Sequence, residues 1–112
     1  MTTVRVVILQ GAEADLRDLR HYLRRSFGAA AWQNSYRAIK RAVECIPTHP
    51  QAGKLPDELT ALNLVQYGQV LAGMNRIIYE IRGETAYVHI VCDVRRDLQA
   101  LLLRRLLEGN PQ

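Results

Sequence analysis

The sequence predicts an α+β domain with its elements in the order β-α-α-β-β-β-α, and three observations carry that reading. Two apolar stripes at helical spacing meet at one glycine, Gly28. Two β-rich runs, Asn75–Arg82 (NRIIYEIR) and Thr85–Cys92 (TAYVHIVC), are separated only by Gly83–Glu84. A leucine-rich stretch then closes the chain behind Asp93. The 112 residues suffice for a single domain, 1–112, and not for two ordinary ones.

Thr3–Leu9 (TVRVVIL) is β-branched and apolar, a strand, and Gly11 ends it. Ala12, Leu16, Leu19, Leu23 and Phe27 follow at spacings of 4, 3, 4 and 4, with Glu13 and Asp15 early and Arg24 and Arg25 late, as a helix dipole favours. Trp32, Tyr36, Ile39, Val43 and Ile46 recur at 4, 3, 4 and 3, so Trp32 and Tyr36 read as core of a second helix. Joined at Gly28, the two helices predict an αα-hairpin. Three prolines, a glycine and little periodicity between Pro47 and Leu62 predict a long loop. Leu64–Leu71, interrupted by Gly68, reads as a strand, and a turn at Gly73–Met74 leads into Asn75–Arg82. Asp93 is a suitable N-cap for a helix through Arg95–Leu107, with Gly109 and Pro111 beyond its end.

Apolar residues at 48% and charged residues at 23% argue against disorder. No apolar run approaches the ~20 residues that span a bilayer, and Met1 leads into a β-like run without a secretory-signal pattern. A cytoplasmic protein without membrane contact is expected. Fifteen basic against eleven acidic residues give +4, and thirteen of the fifteen are arginine. Arginine's planar fork suits phosphate or carboxylate, which favours an anionic partner; a GC-rich genome writing Arg for Lys gives the same bias. Cys45 and Cys92 share no ligand spacing and read as reduced, buried small hydrophobes. No metal or cofactor is expected.

Ala42–Gly53 (AVECIPTHPQAG), Gly73–Ile81 (GMNRIIYEI) and His89–Leu98 (HIVCDVRRDL), in this order, resemble the RelE/ParE toxins of bacterial type II (plasmid-stabilisation) toxin–antitoxin systems. The resemblance implies a four-stranded, mostly antiparallel sheet with the helical hairpin on one face, the other face open to partners, and a C-terminal helix. It also implies a growth-inhibiting toxin neutralised by a cognate antitoxin, meeting operator DNA only through the antitoxin complex. ParE-type members inhibit DNA gyrase by binding it; RelE-type members are ribosome-dependent mRNA endoribonucleases with an arginine at the position matching Arg76.

Period-two alternation puts Ile77, Tyr79 and Ile81 on one side of their strand and Val88, Ile90 and Cys92 on one side of the next. If those sets face the helices, Arg76, Tyr87, His89 and Asp93 project from the open face. There His89 could move a proton and Arg76 could steady a phosphodiester's developing charge, without a metal. Arg76, His89 and Arg95 are therefore the catalytic candidates of a ribonuclease, and Lys54, Arg76, Tyr87, Arg95 and Arg96 the contacts to RNA or another target. Plainer roles stand beside these: a packed His89, an Arg76 paired with its neighbours, and a structural or solvated His21 and His49. RelE-type enzymes also carry a tyrosine or histidine beyond the last strand, where this chain has Asp97, Leu98, Gln99 and Ala100. The reading leans toward a non-enzymatic gyrase inhibitor. A RelE-like endoribonuclease is the alternative, and a non-toxic basic nucleic-acid-binding module, with a steep salt dependence, is a further one.

In the last helix Leu98, Leu101, Leu102 and Leu106 fall within an arc of about 140°, with Leu103 and Leu107 outside it. Exposed leucines beside charge call for a cover. An acidic amphipathic antitoxin helix on Leu102, Leu103, Leu106, Leu107 and Arg104 would supply one. The plainer alternative is a helix that buries more than one stripe against the sheet.

Overall fold

A computed structural model describes residues 4–47, 56–61 and 66–108. The elements are β1 (Arg5–Ile8), α1 (Gln10–Phe27), α2 (Ala29–Cys45), α3 (Asp57–Thr60), β2 (Tyr67–Ala72), β3 (Asn75–Arg82), β4 (Thr85–Asp93) and α4 (Leu98–Leu107). The expected order holds, with one helical turn, α3, added inside the predicted loop. His49, Lys54, the strand start at Leu64, Gly109 and Pro111 lie outside the described residues. No helix among the described residues is long and apolar enough to cross a membrane.

The strands form one sheet in the order β1-β4-β3-β2. Two-residue turns force β2, β3 and β4 into antiparallel pairs, whereas β1 arrives beside β4 after the helical crossover and pairs in parallel. Gly28 ends α1 and starts α2 at φ 94°, left-handed backbone that favours glycine, with its N–H on the Arg24 carbonyl. The hairpin covers one sheet face. Ala12, Ile39 and Ile46 pack there on Ala72, Ile77, Tyr79, Ala86, Val88 and Val91. Three residues read as buried are instead exposed. Phe27, at the end of α1, rests edge-on against Tyr22; Tyr36 leans on Trp32 at the rim; and Cys45, the last residue of α2, faces outward.

The second face corrects the sequence reading more deeply, because it is closed. Leu59 of α3 and Leu98, Leu101 and Leu102 of α4 pack on Tyr67, Ile78, Ile90 and Cys92. A ten-residue helix has little stability alone; each leucine it buries contributes about 2 kcal/mol and fixes it to the sheet. The N-cap is Asp97, whose side chain accepts from the Ala100 N–H at 3.1 Å, and not Asp93. Asp93 instead accepts from the Arg95 N–H and Nε, both at 2.8 Å, so those residues form a turn before α4.

A β-bulge explains the rest of the discrepancy. Ile78 lies opposite Ile90 and Tyr79 opposite Val88, which leaves His89 without a residue across from it. The extra residue shifts the alternation of β4. Val88 and Val91 therefore face the hairpin while Ile90 and Cys92 face α4, correcting the expectation that Val88, Ile90 and Cys92 share one side.

Candidate functional site: the α4 face and its basic rim

Arg76 stands on β3, under α3 and α4, and is only 6% exposed. Its Nη2 donates to Glu58 Oε2 at 2.7 Å and to the Arg96 carbonyl at 3.3 Å, and its Nη1 to Glu58 Oε1 at 3.4 Å. The guanidinium holds the Glu58 carboxyl below its usual range, chiefly through this hydrogen bond. Beside it, burial pushes the Cys92 thiol up. The fork expected to grip a phosphodiester is thus occupied by a carboxylate of the same chain.

His89 is 2% exposed, held at the bulge between Glu80 and the edge of the Tyr67 ring. Burial lowers its pKa, and the Glu80 hydrogen bond opposes that without cancelling it. A neutral imidazole then donates Nε2–H to Glu80 Oε1 over 2.9 Å. Glu80 also accepts from Arg82 Nε at 3.0 Å, and the Arg82 guanidinium lies 4.6 Å from the Tyr87 ring centroid, leaving Tyr87 half-buried. Arg76, His89 and Tyr87 therefore do not share an open surface. The expectation fails because it assumed a bare face and an unbroken alternation.

What remains accessible lies at the margins. Arg95 and Arg96 are exposed at the β4–α4 corner, where they line a concavity of about 590 Å³ with Asp15, Asp18, Tyr22 and Asn75 among its walls. Arg95 holds the Asp93 carboxyl down at about 2. Beside α4, Leu59, Asp97, Gln99, Leu102, Leu103 and Leu106 surround a mostly apolar groove of about 460 Å³. Leu103, Leu106 and Leu107 are 60%, 47% and 79% exposed, and Arg104 is exposed beside them. Leu102 is corrected: at 1% exposure it belongs to the core and shows only its margin to the groove. Leu106, placed by its arc in the core stripe, leaves it. Among the described residues no cluster of His, Cys, Asp and Glu could hold a metal ion.

The sequence reading missed Asp15, Glu58 and Arg105. Asp15 Oδ2 accepts from the Val91 N–H, Arg105 Nη1 donates to the His89 carbonyl, and the two side chains pair. Their partners lie 16 to 90 positions away on other elements, so spacing within an element gives no signal for them.

The architecture, a β-α-α-β-β-β-α chain around a β1-β4-β3-β2 sheet, accompanies a sequence match. The family model for the ParE toxin of the type II toxin–antitoxin system parDE matches residues 6–100. The chain belongs to this ParE toxin family. It is accordingly a type II toxin, and the resemblance read from its three motifs holds. The chromosomal ParDE toxin–antitoxin system from P. aeruginosa superimposes with a TM-score of 0.68 at 11% identity, over 83% of this chain and 98% of that one, and shares the fold. The toxin–antitoxin complex RelBE2 from Mycobacterium tuberculosis gives 0.46 at 20% identity, over 81% and 98%. None of the curated proteins compared with the chain matches it.

Proposed function

We propose that this toxin arrests growth by binding DNA gyrase, without catalysing a reaction of its own, and that a cognate antitoxin silences it by covering α4. Membership of the ParE family supports gyrase as the target. The observation that carries the non-catalytic part is the Arg76–Glu58 pair: the arginine a RelE-type ribonuclease would use is buried and doubly bonded to a carboxylate. His89, the other half of that chemistry, is buried as well. Arg95 and Arg96, both exposed, remain the proposed target contacts.

The antitoxin contact rests on chemistry. Leu103, Leu106 and Leu107 offer apolar anchors beside a groove, and Arg104 offers charge. An amphipathic helix with an acidic flank meets both requirements. The match to a ParDE system, a toxin with its antitoxin, agrees with such a partner. Expression of the chain alone should arrest growth and leave plasmid DNA relaxed, and co-expression of the antitoxin should restore both. Arrest with normal supercoiling and cleaved mRNA would transfer the protein to the ribonuclease reading.

A further inference from the structure

One strongly charged surface has no part in the fold or in the α4 groove. Arg17, Arg20, His21, Arg24 and Arg25 are all exposed on α1. Residues 17, 20 and 24 repeat at helical spacing with 21 and 25 in the adjoining row, so the five share one side over about 12 Å of helix. Among the described residues, none of these arginines forms an ion pair, and Arg25 Nη1 hydrogen-bonds His21 Nε2 at 3.4 Å. Like charges three and four positions apart destabilise a helix. The core contacts of α1 are made by Ala12, Leu16 and Leu19; Arg24 and Arg25 suit the helix dipole, but Arg17, Arg20 and His21 serve neither the core nor the helix end.

Toward the β4–α4 corner the charge is mixed, because Asp15, Asp18 and Asp93 stand beside Arg95 and Arg96 and Asp93 pairs with Arg95. Arg25 shares a depression with Asp18 and Tyr22, and those two line the concavity that holds Arg95 and Arg96. We propose that the α1 strip, made by Arg17, Arg20, Arg24 and Arg25, docks on the phosphate backbone of duplex DNA. Guanidinium groups suit phosphate oxygens, and arginines ranged along a rod suit a regular row of them. The depression between the α1 side chains is lined by the five basic residues alone; the exposed aromatics of α1, Tyr22 and Phe27, lie beside it and not in it. The choice of DNA as the source of the phosphates rests on the gyrase reading, since gyrase works with a duplex in hand. The toxin would then engage the enzyme together with its DNA.

The test is fluorescence anisotropy of the whole chain with a labelled duplex of arbitrary sequence, about 30 base pairs long, between about 50 and 200 mM salt. Arg17→Ala/Arg20→Ala/Arg24→Ala is compared with Arg37→Ala/Lys40→Ala/Arg41→Ala, which removes equal charge from exposed positions on α2. The α1 triple should bind at least about tenfold more weakly, and its log–log salt slope should drop by about 0.9 for each phosphate that it no longer neutralises. The α2 triple should stay close to the parent. Equal losses in both triples, no duplex binding by the parent, or binding to single-stranded RNA or polyglutamate in place of the duplex would each overturn the proposal. Gyrase inhibition, measured on the same proteins, separates the two readings: inhibition without duplex binding removes this inference alone, and duplex binding without inhibition removes the gyrase target alone.

Discussion

Arg105, near the end of α4, pairs with Asp15 on α1 across a sheet edge that β1 leaves bare, Nη2 to Oδ1 at 2.5 Å. β1 accompanies β4 only as far as Val88. Beyond it the Val91 N–H and the His89 carbonyl would face outward unpaired. Asp15 takes the first at 2.9 Å and Arg105 serves the second at 2.7 Å, so two side chains do what another turn of strand would have done. The pair also ties the helices of one face to the helix of the other.

Removing either partner strands the other beside an orphaned backbone group. Arg105→Ala and Asp15→Ala should each cost about 1–3 kcal/mol in urea unfolding. Their effects should fall well short of additive in the double variant. Full additivity would show that the contact does not couple α1 to α4.

The Arg76–Glu58 pair makes a second, acid-sensitive joint. Arg76 lowers the folded-state pKa of Glu58, so the stabilisation is complete above the ordinary glutamate value and is lost as pH falls through the lower folded one. Glu58 keeps 38% of its side chain in water, which moderates the effect. Glu58→Gln should destabilise by about 1–3 kcal/mol at neutral pH and flatten the acid limb of a stability–pH curve. An unchanged acid limb would contradict the assignment.

His89 gives a dependence of the same sign at higher pH. Burial lowers its folded pKa below the value of about 6.5 that the unfolded chain shows. As pH drops through that value the unfolded state takes up the proton first, so stability declines from pH 7 toward 5. His89→Gln, which keeps a donor for Glu80, should reduce that decline in chemical-denaturation midpoints. Stability rising toward pH 5 would mean that an imidazolium–Glu80 ion pair outweighs burial.

The α4 leucines should divide by exposure. Leu102→Ala, in the core, should cost about 2–5 kcal/mol. Leu103→Asp/Leu107→Asp changes only exposed positions and should leave the melting temperature within a degree or two of the parent, while antitoxin affinity falls by an order of magnitude or more. Calorimetric titration with the antitoxin checks the affinity; undiminished binding would remove α4 as the docking helix.

Much of this fold was legible because its signals are local. The stripes of α1 and α2, the glycine between them, and the two hairpin strands all follow from spacing alone, and β3 matches residue for residue. The closed second face does not. Alternation assigns faces only while the register is unbroken, and the bulge at His89 breaks it without a glycine or proline to mark the place. One signal was available: Ile77–Ile78 and Ile90–Val91–Cys92 are consecutive apolar residues, as expected of strands covered on both sides. Two aspartates lie near the start of α4, and spacing could not tell the N-cap, Asp97, from Asp93.

Gyrase as the proposed target and an Arg76 sealed beneath the toxin's own helices stand or fall together. Supercoiling of relaxed plasmid by purified gyrase, titrated with the folded chain beside a ribosomal mRNA-cleavage control, tests them most directly. Supercoiling should fall with toxin dose while the mRNA stays intact. Undisturbed supercoiling with site-specific mRNA cleavage would contradict both.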